Sequence, residues 1–185
     1  SIVFCAAIAL VPLFSIFIYI LKRGTQALSW TFFTSLPSPI GSSVAGGMGN
    51  ALLGSLYMVS IAGSIGIPLG ISIGIFLSES PHSRLAQWTR SALEILVSTP
   101  SIVIGLFVYA VVVAPMKRFS GFAGAMALAI ILIPLLARTT EEMLKQVPAS
   151  VREAGLALGL PHWKVTLFIL LRAARAGIAT GVLLS

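Results

Sequence analysis

The sequence predicts an all-α fold, a polytopic bundle of transmembrane helices, and two observations predict it. First, 57% of the 185 residues are hydrophobic and only 9% are charged, with a mean hydropathy of +1.04. A soluble domain has roughly 25% charged residues, and a chain of this size cannot hide so much apolar surface in its own interior, so the surplus faces lipid. Second, the apolar residues fall in long unbroken runs. Lipid offers the backbone no hydrogen-bond partner, so only helices or closed barrels cross it. Barrel strands alternate apolar and polar residues, and these runs do not.

The runs place span one at about Ile2–Leu21, ended by Lys22-Arg23, span two at about Leu52–Leu77 and span three at about Ala92–Val113. Span four covers about Phe122–Leu136, and a fifth starts near Ala176. Each complete span approaches the roughly 20 residues a helix needs to cross, span four being short. Ten residues follow Arg175, roughly 15 Å of helix and about half a hydrocarbon core. The chain begins with Ser1 inside an apolar run without a signal-peptide pattern. The expectation is one transmembrane domain over 1–185, cut at both ends.

The net charge of +7 does not indicate nucleic acid, because the twelve Lys and Arg are scattered rather than gathered in a stripe. They set orientation instead. Four (Lys22, Arg23, Lys117, Arg118) fall on one side of the spans and eight on the other, and the richer side is predicted cytoplasmic. Residues 22–51 then form an external loop, and 137–175 a cytoplasmic one. The external loop contains Trp30, Phe32, Phe33, Pro37, Pro39 and Gly46-Gly47, which suits an interfacial aromatic belt or a docking surface for an external partner.

Within the spans, Gly66, Gly70 and Gly74 recur every fourth residue, which lets a neighbouring helix approach closely. Ser98-Thr99-Pro100-Ser101 predicts a proline kink in span three, or a polar patch (Ser98, Thr99, Ser101) on a solute pathway. Glu94, four residues after Arg90, reads as an interfacial ion pair along one helix face. Cys5 is a lone thiol in an apolar run, with no disulfide framework around it. There is no aspartate, metal-ligand spacing, nucleophile elbow or phosphate-binding glycine loop. No catalytic residue, metal or cofactor is expected on this chain, and any energy input comes from a partner.

The informative segment is 137–175. Ser150 and Glu153 have capping-box spacing, and Gly159 followed by Pro161 is a stop signal, so a helix is predicted over Val151–Leu158. At barely two turns it is marginal alone. Val151, Ala154, Gly155 and Leu158 share a small apolar face suited to a groove on another protein, or to the membrane surface. Pro161 is then the first residue of the next helix.

Glu153-Ala154-Gly155, Gly159, Ile169 and Leu171 resemble the EAA loop of ABC-importer permeases: Glu-Ala-Ala, three residues, Gly, nine residues, Ile, any residue, Leu-Pro. The spacing is kept without a gap. Gly155 replaces the second alanine, and Arg172 stands where proline is usual. The runs Thr99–Ala110, Ala137–Pro148 and Phe32–Pro39 are similar to the A-type permease of phosphate-specific importers.

The resemblance implies a type I importer (MetI-like) fold of about six spans, with about 4.5 present here, in a bacterial inner membrane. It implies two cytoplasmic ATPase subunits that bind the ATP, a second homologous permease in a heterodimer, an external phosphate-binding protein, and inorganic phosphate as cargo. Ser150, Glu153, Ala154, Gly155, Leu158 and Gly159 would then form the ATPase-coupling element. Arg138, at the head of the ARTTEEML run, would attract the departing anion or anchor the helix end. Other importers (of molybdate, sulfate or phosphonate), a scaffold or receptor subunit, and an intramembrane enzyme are the competing readings.

Overall fold

The computed structural model describes residues 2–39, 41 and 46–184, with side chains at 8, 10–25, 28–39, 41 and 46–184. The side chain of Cys5 lies outside the described residues, as do Ile40 and residues 42–45 of the loop expected to be external. All regular structure among the described residues is helical. The chain divides into two compact units, Ser1–Ser55 and Leu56–Ser185.

In the first unit, α1 (Ile2–Ala27) continues through Lys22-Arg23, where span one was expected to end. A short helix, α2 (Trp30–Thr34), follows, with the Ser29 hydroxyl accepting from the Phe32 amide at 3.2 Å. The returning segment closes onto it: the amides of Gly47, Met48 and Gly49 donate to the carbonyls of Leu36, Phe32 and Ser35 at 2.8–3.1 Å. A Cβ on Gly47 would lie 2.6 Å from the carbonyl oxygens of Phe32 and Ser35, so this closure requires glycine.

The second unit is organised by α3 (Gly49–Glu79), from Leu56 onward, and by α6 (Gly121–Lys145). Gly66, Gly70 and Gly74 lie against Leu132, Leu136 and Thr140 of α6, and a Cβ at any of them would fall 2.5–2.7 Å from those side chains. Apolar burial gives little drive between helices already in lipid. The stripe instead gains dispersion contacts through close approach, which small residues alone permit. Pro134 is buried inside α6 and Pro68 lies inside α3, where the Ser72 hydroxyl donates back to the Pro68 carbonyl at 2.7 Å.

Span three is not one kinked helix. α4 (Arg84–Ser98) and α5 (Ser101–Met116) meet at about 100°. Thr99 and Pro100 are both extended (ψ 127° and 137°), because proline has no N–H to continue the ladder and forces its predecessor out of the helical region. α4 begins about two turns before the expected start of span three near Ala92, with Ser83 capping the Ala86 amide at 3.0 Å. It is amphipathic: Ala86 and Leu93 pack with Leu77 and Ala137, while Leu85, Trp88 and Ile95 are exposed. α5 contains a π-helical turn at Tyr109–Val113, and Lys117 ends it in the left-handed region (φ 52°).

After α6 come α7 (Ala149–Ala157) and α8 (His162–Leu184). The fifth span does not start near Ala176. α8 is continuous from His162, with π-helical pairing over Val165–Leu170, and it carries Arg172 and Arg175 along its length. Both are exposed on α8, and arginine's long stem suits carrying a charge from an apolar helix toward a polar boundary. Leu144, Val165, Leu170, Ala174 and Ile178 form the core joining α6 and α8. Among the described residues, α3, α6 and α8 are each long and apolar enough to cross a membrane, and the bent α4–α5 pair brings the number to four if it is counted as one span.

Candidate functional site

The candidate site is α7 and the layer of charged side chains around it. The helix starts at Ala149, with Pro148 as its N-cap and no side-chain cap hydrogen bond, so Ser150 does not cap it as its spacing with Glu153 suggested. Proline's fixed φ prepares the first turn two residues earlier than a Ser150 cap would, and leaves Ser150 inside the helix. The stop signal acts as expected. Gly159 adopts φ +77°, and its amide donates to the Leu156 carbonyl at 2.9 Å.

The expected docking face splits in two. Gly155 is buried, not offered outward: a Cβ there would meet Ile169 and Val165 of α8 at 3.0–3.2 Å. Val151 packs into the core around Leu144 and Val165. A helix of two turns cannot stand alone, and these contacts hold it on the chain's own α8. The outward face is made by Ser150, Glu153, Ala154, Ala157, Leu158 and Gly159, all exposed; Leu158 is 81% exposed. The position that looked most suited to a partner's backbone is the one that seats α7 on its own chain.

Three ion-pair groups tie the helices together, and one of them includes α7. Arg152 of α7 reaches Glu79, the last residue of α3, through two N–H···O bonds of 2.8 and 2.6 Å. The hydrogen bonds it donates to this carboxylate raise the Arg152 pKa above its ordinary value, against the opposing effect of burial.

Arg90 does not pair with Glu94. Its guanidinium binds Glu141 of α6 at 2.7 Å and donates to the carbonyls of Leu77 and Pro81 at 3.1 and 3.2 Å. It thereby satisfies acceptors left open at the C-terminal end of α3, where a cation also meets the negative end of the helix dipole. Glu141, with only 8% of its side chain exposed, also takes Lys145 at 2.6 Å. Glu94 pairs instead with Arg138 of α6 at 3.0 Å, and both remain largely exposed. Arg138 is thus tied between two helices rather than free at a helix end.

Ser98 lies one turn beyond Glu94 on α4. The hydroxyls of Ser98 and Thr99 both donate to the Ile95 carbonyl, at 3.0 and 2.6 Å, and Ser101 opens α5 beyond the break. The structure therefore brings Arg138, Glu94 and Ser98 to one side of the α4–α5 bend. Glu79 and Glu141 were missed as site residues, since a glutamate in sequence gives no sign of an arginine that joins it from 73 or 51 residues away. Among the described residues, no group of His, Cys, Asp and Glu is arranged to hold a metal.

The family model described as "Binding-protein-dependent transport system inner membrane component" matches residues 66–185. The chain is 48% identical over 167 residues to the phosphate transport system permease protein PstA of Pasteurella multocida, covering 90% of this chain and 59% of that protein. It is 48% identical over 168 residues to the protein of the same name from Haemophilus influenzae, covering 90% and 58%. The probable PstA of Methanocaldococcus jannaschii is 37% identical over 180 residues, covering 96% and 62%. The chain thus spans about three-fifths of the length of these relatives.

Among solved structures, an inward-facing conformation of the MetNI methionine ABC transporter aligns with a TM-score of 0.60 at 19% identity, over 74% of this chain and 65% of that one. That likeness supports the MetI-like fold. The EAA-type spacing, the short helix seated on α8 and the match over 66–185 agree: the chain belongs to the family of binding-protein-dependent transport system inner membrane components.

Proposed function

We propose that this chain is part of the membrane subunit of an ATP-driven importer for inorganic phosphate, and that α7 is its coupling helix. In this reading two cytoplasmic ATPase subunits bind and hydrolyse ATP, a second related permease completes the pathway, and an external phosphate-binding protein delivers the anion. The observation that supports it best is the division of labour on α7. Gly155 and Val151 anchor the helix internally, while Ser150, Glu153, Ala154, Leu158 and Gly159 face outward in one patch. An exposed apolar and acidic patch on a helix that cannot fold alone suits a groove on a partner. Phosphate as cargo rests on the names of the relatives.

Glu153→Lys is expected to cut phosphate uptake about tenfold or more by reversing a charge at the centre of the docking face, a cost of about 1.4 kcal/mol or above. Membrane insertion and thermal unfolding should be unchanged, because Glu153 is exposed and makes no ion pair among the described residues. Uptake equal to wild type would refute the docking role.

We also propose that Arg138, with Ser98, Thr99 and Ser101, lines the anion's route beside the α4–α5 bend. Glu94 holds the guanidinium in place, and its remaining donors suit a tetrahedral oxyanion. Arg138→Gln should slow phosphate uptake while leaving ATPase co-purification intact. An unaltered rate would leave Arg138 as a link between α4 and α6 only.

A further inference from the structure

We propose that the Arg152–Glu79 ion pair is the positioning contact that passes movement of α7 to α3. This rests on the reading of α7 as a coupling helix. The structure attaches α7 to the spans in two chemically distinct ways. Gly155 and Val151 lead by apolar packing to α8 and to the α6–α8 core. Arg152 leads to α3, through the one ion pair that joins α7 to another helix among the described residues.

The geometry of this pair suits transmission. Two near-parallel N–H···O bonds, 2.8 and 2.6 Å, fix direction as well as distance, which a single contact would not. Its side chains are 32% and 23% exposed, so salt screens the pair less than one at the open surface. The location of Glu79 is itself informative. A carboxylate on the last residue of a helix faces the negative end of the dipole and is disfavoured there unless paired. Thr166 and His162 of α8 also face this carboxylate, so Glu79 sits where α3, α7 and α8 converge.

Along its side α3 presents the glycine stripe to α6, and near its end Leu77 packs on Ala86, Leu93 and Ala137. A rigid helix gripped at its end by a charged fork, and lying on small residues along its side, can shift as a body when α7 is displaced. The other ion pairs do not offer this: Arg90–Glu141 and Arg138–Glu94 join α4 to α6 and include no residue of α7, although Arg90 also holds the Leu77 carbonyl of α3.

The test uses the full-length permease in its assembled transporter, in proteoliposomes with the ATPase subunits and phosphate-loaded binding protein. Phosphate moved per ATP hydrolysed is measured for wild type, Glu79→Gln, Arg152→Gln, Arg152→Lys and the exchange Glu79→Arg with Arg152→Glu. The single Gln variants are expected to keep their ATPase subunits and to hydrolyse ATP, but to move about fivefold or more less phosphate per ATP, the lower end of usual coupling free energies. Arg152→Lys, which keeps the charge and loses the fork, should fall between, and it tests the proposal should the Gln variants not assemble. The exchange should recover most of the ratio.

An unchanged ratio in the assembled variants overturns the proposal. So does loss of uptake strictly in step with loss of assembled complex, with no recovery in the exchange, which is what a purely structural pair would give. If wild type itself shows no phosphate-stimulated hydrolysis, the reading of the chain as an importer subunit fails and this inference falls with it. Those two failures are distinguishable, because the second is visible before any substitution.

Discussion

Arg90→Ala is expected to destabilise the helical bundle by about 3 kcal/mol, the usual cost of removing one partner from a buried ion pair. Its guanidinium serves three acceptors at once: Glu141, 8% exposed on α6, and the carbonyls of Leu77 and Pro81 at the end of α3. Without it Glu141 retains only Lys145, and the α3 terminus loses its donor. Burial makes that expensive, since an unpaired polar group away from water forfeits its hydration without compensation. Arg138→Ala removes a pair of the same type, but one with side chains 43% and 60% exposed. Exposed pairs contribute about 0–1 kcal/mol. Unfolding of both variants in one detergent should therefore show a much larger loss for Arg90. Equal losses would mean that burial does not set the value of these pairs.

Gly74→Leu is the second large effect. A Cβ at position 74 would lie 2.5 Å from the Thr140 Cβ and 2.6 Å from the Ala137 carbonyl oxygen. The latter is backbone and cannot rotate aside, so α3 and α6 must separate along their length. Overpacking of a well-packed contact costs about 1–3 kcal/mol, and here the displaced partner is a whole helix rather than a flexible side chain. The variant is expected to express poorly and to lose its monodisperse fraction in detergent. Gly105→Ala gives the contrast. Nothing lies within 4 Å of its Cβ, and alanine favours a helix by up to about 1 kcal/mol over glycine. If Gly74→Leu were as well folded as Gly105→Ala, the close approach of α3 to α6 would be wrong.

These two sites show what a sequence discloses and what it withholds. The glycine stripe was legible because spacing alone places Gly66, Gly70 and Gly74 on one face, and small residues on one face of an apolar helix have few other uses. The end of α7 was legible because Gly159 and Pro161 act locally, one by adopting a positive φ and the other by lacking a donor. The choice of partner was not legible for Arg90. Four-residue spacing made Glu94 its natural mate, yet Glu141 and two carbonyl oxygens offered a buried, multiply bonded site that a surface pair cannot match.

The break at Thr99-Pro100 was read as a kink because apolar residues continue on both sides. The sign that α4 is a separate element lay upstream. Ser83 is a cap, and the residues after it alternate between a face seated on Leu77 and Ala137 and a face carrying Leu85, Trp88 and Ile95. Gly155 shows the same limit in the coupling element. Its small size signals close contact, but not whether the neighbour is a partner or the chain's own α8. Val165 and Ile169 decide that only once α8 folds back.

Cysteine crosslinking from the outward face of α7 tests the central claim most directly. In intact membranes holding the full-length permease and its transporter, Ala154→Cys and Leu158→Cys should each capture an ATP-hydrolysing subunit, whereas cysteine at buried Val165 should not. Capture from neither exposed position, with the transporter assembled and active, would contradict the account.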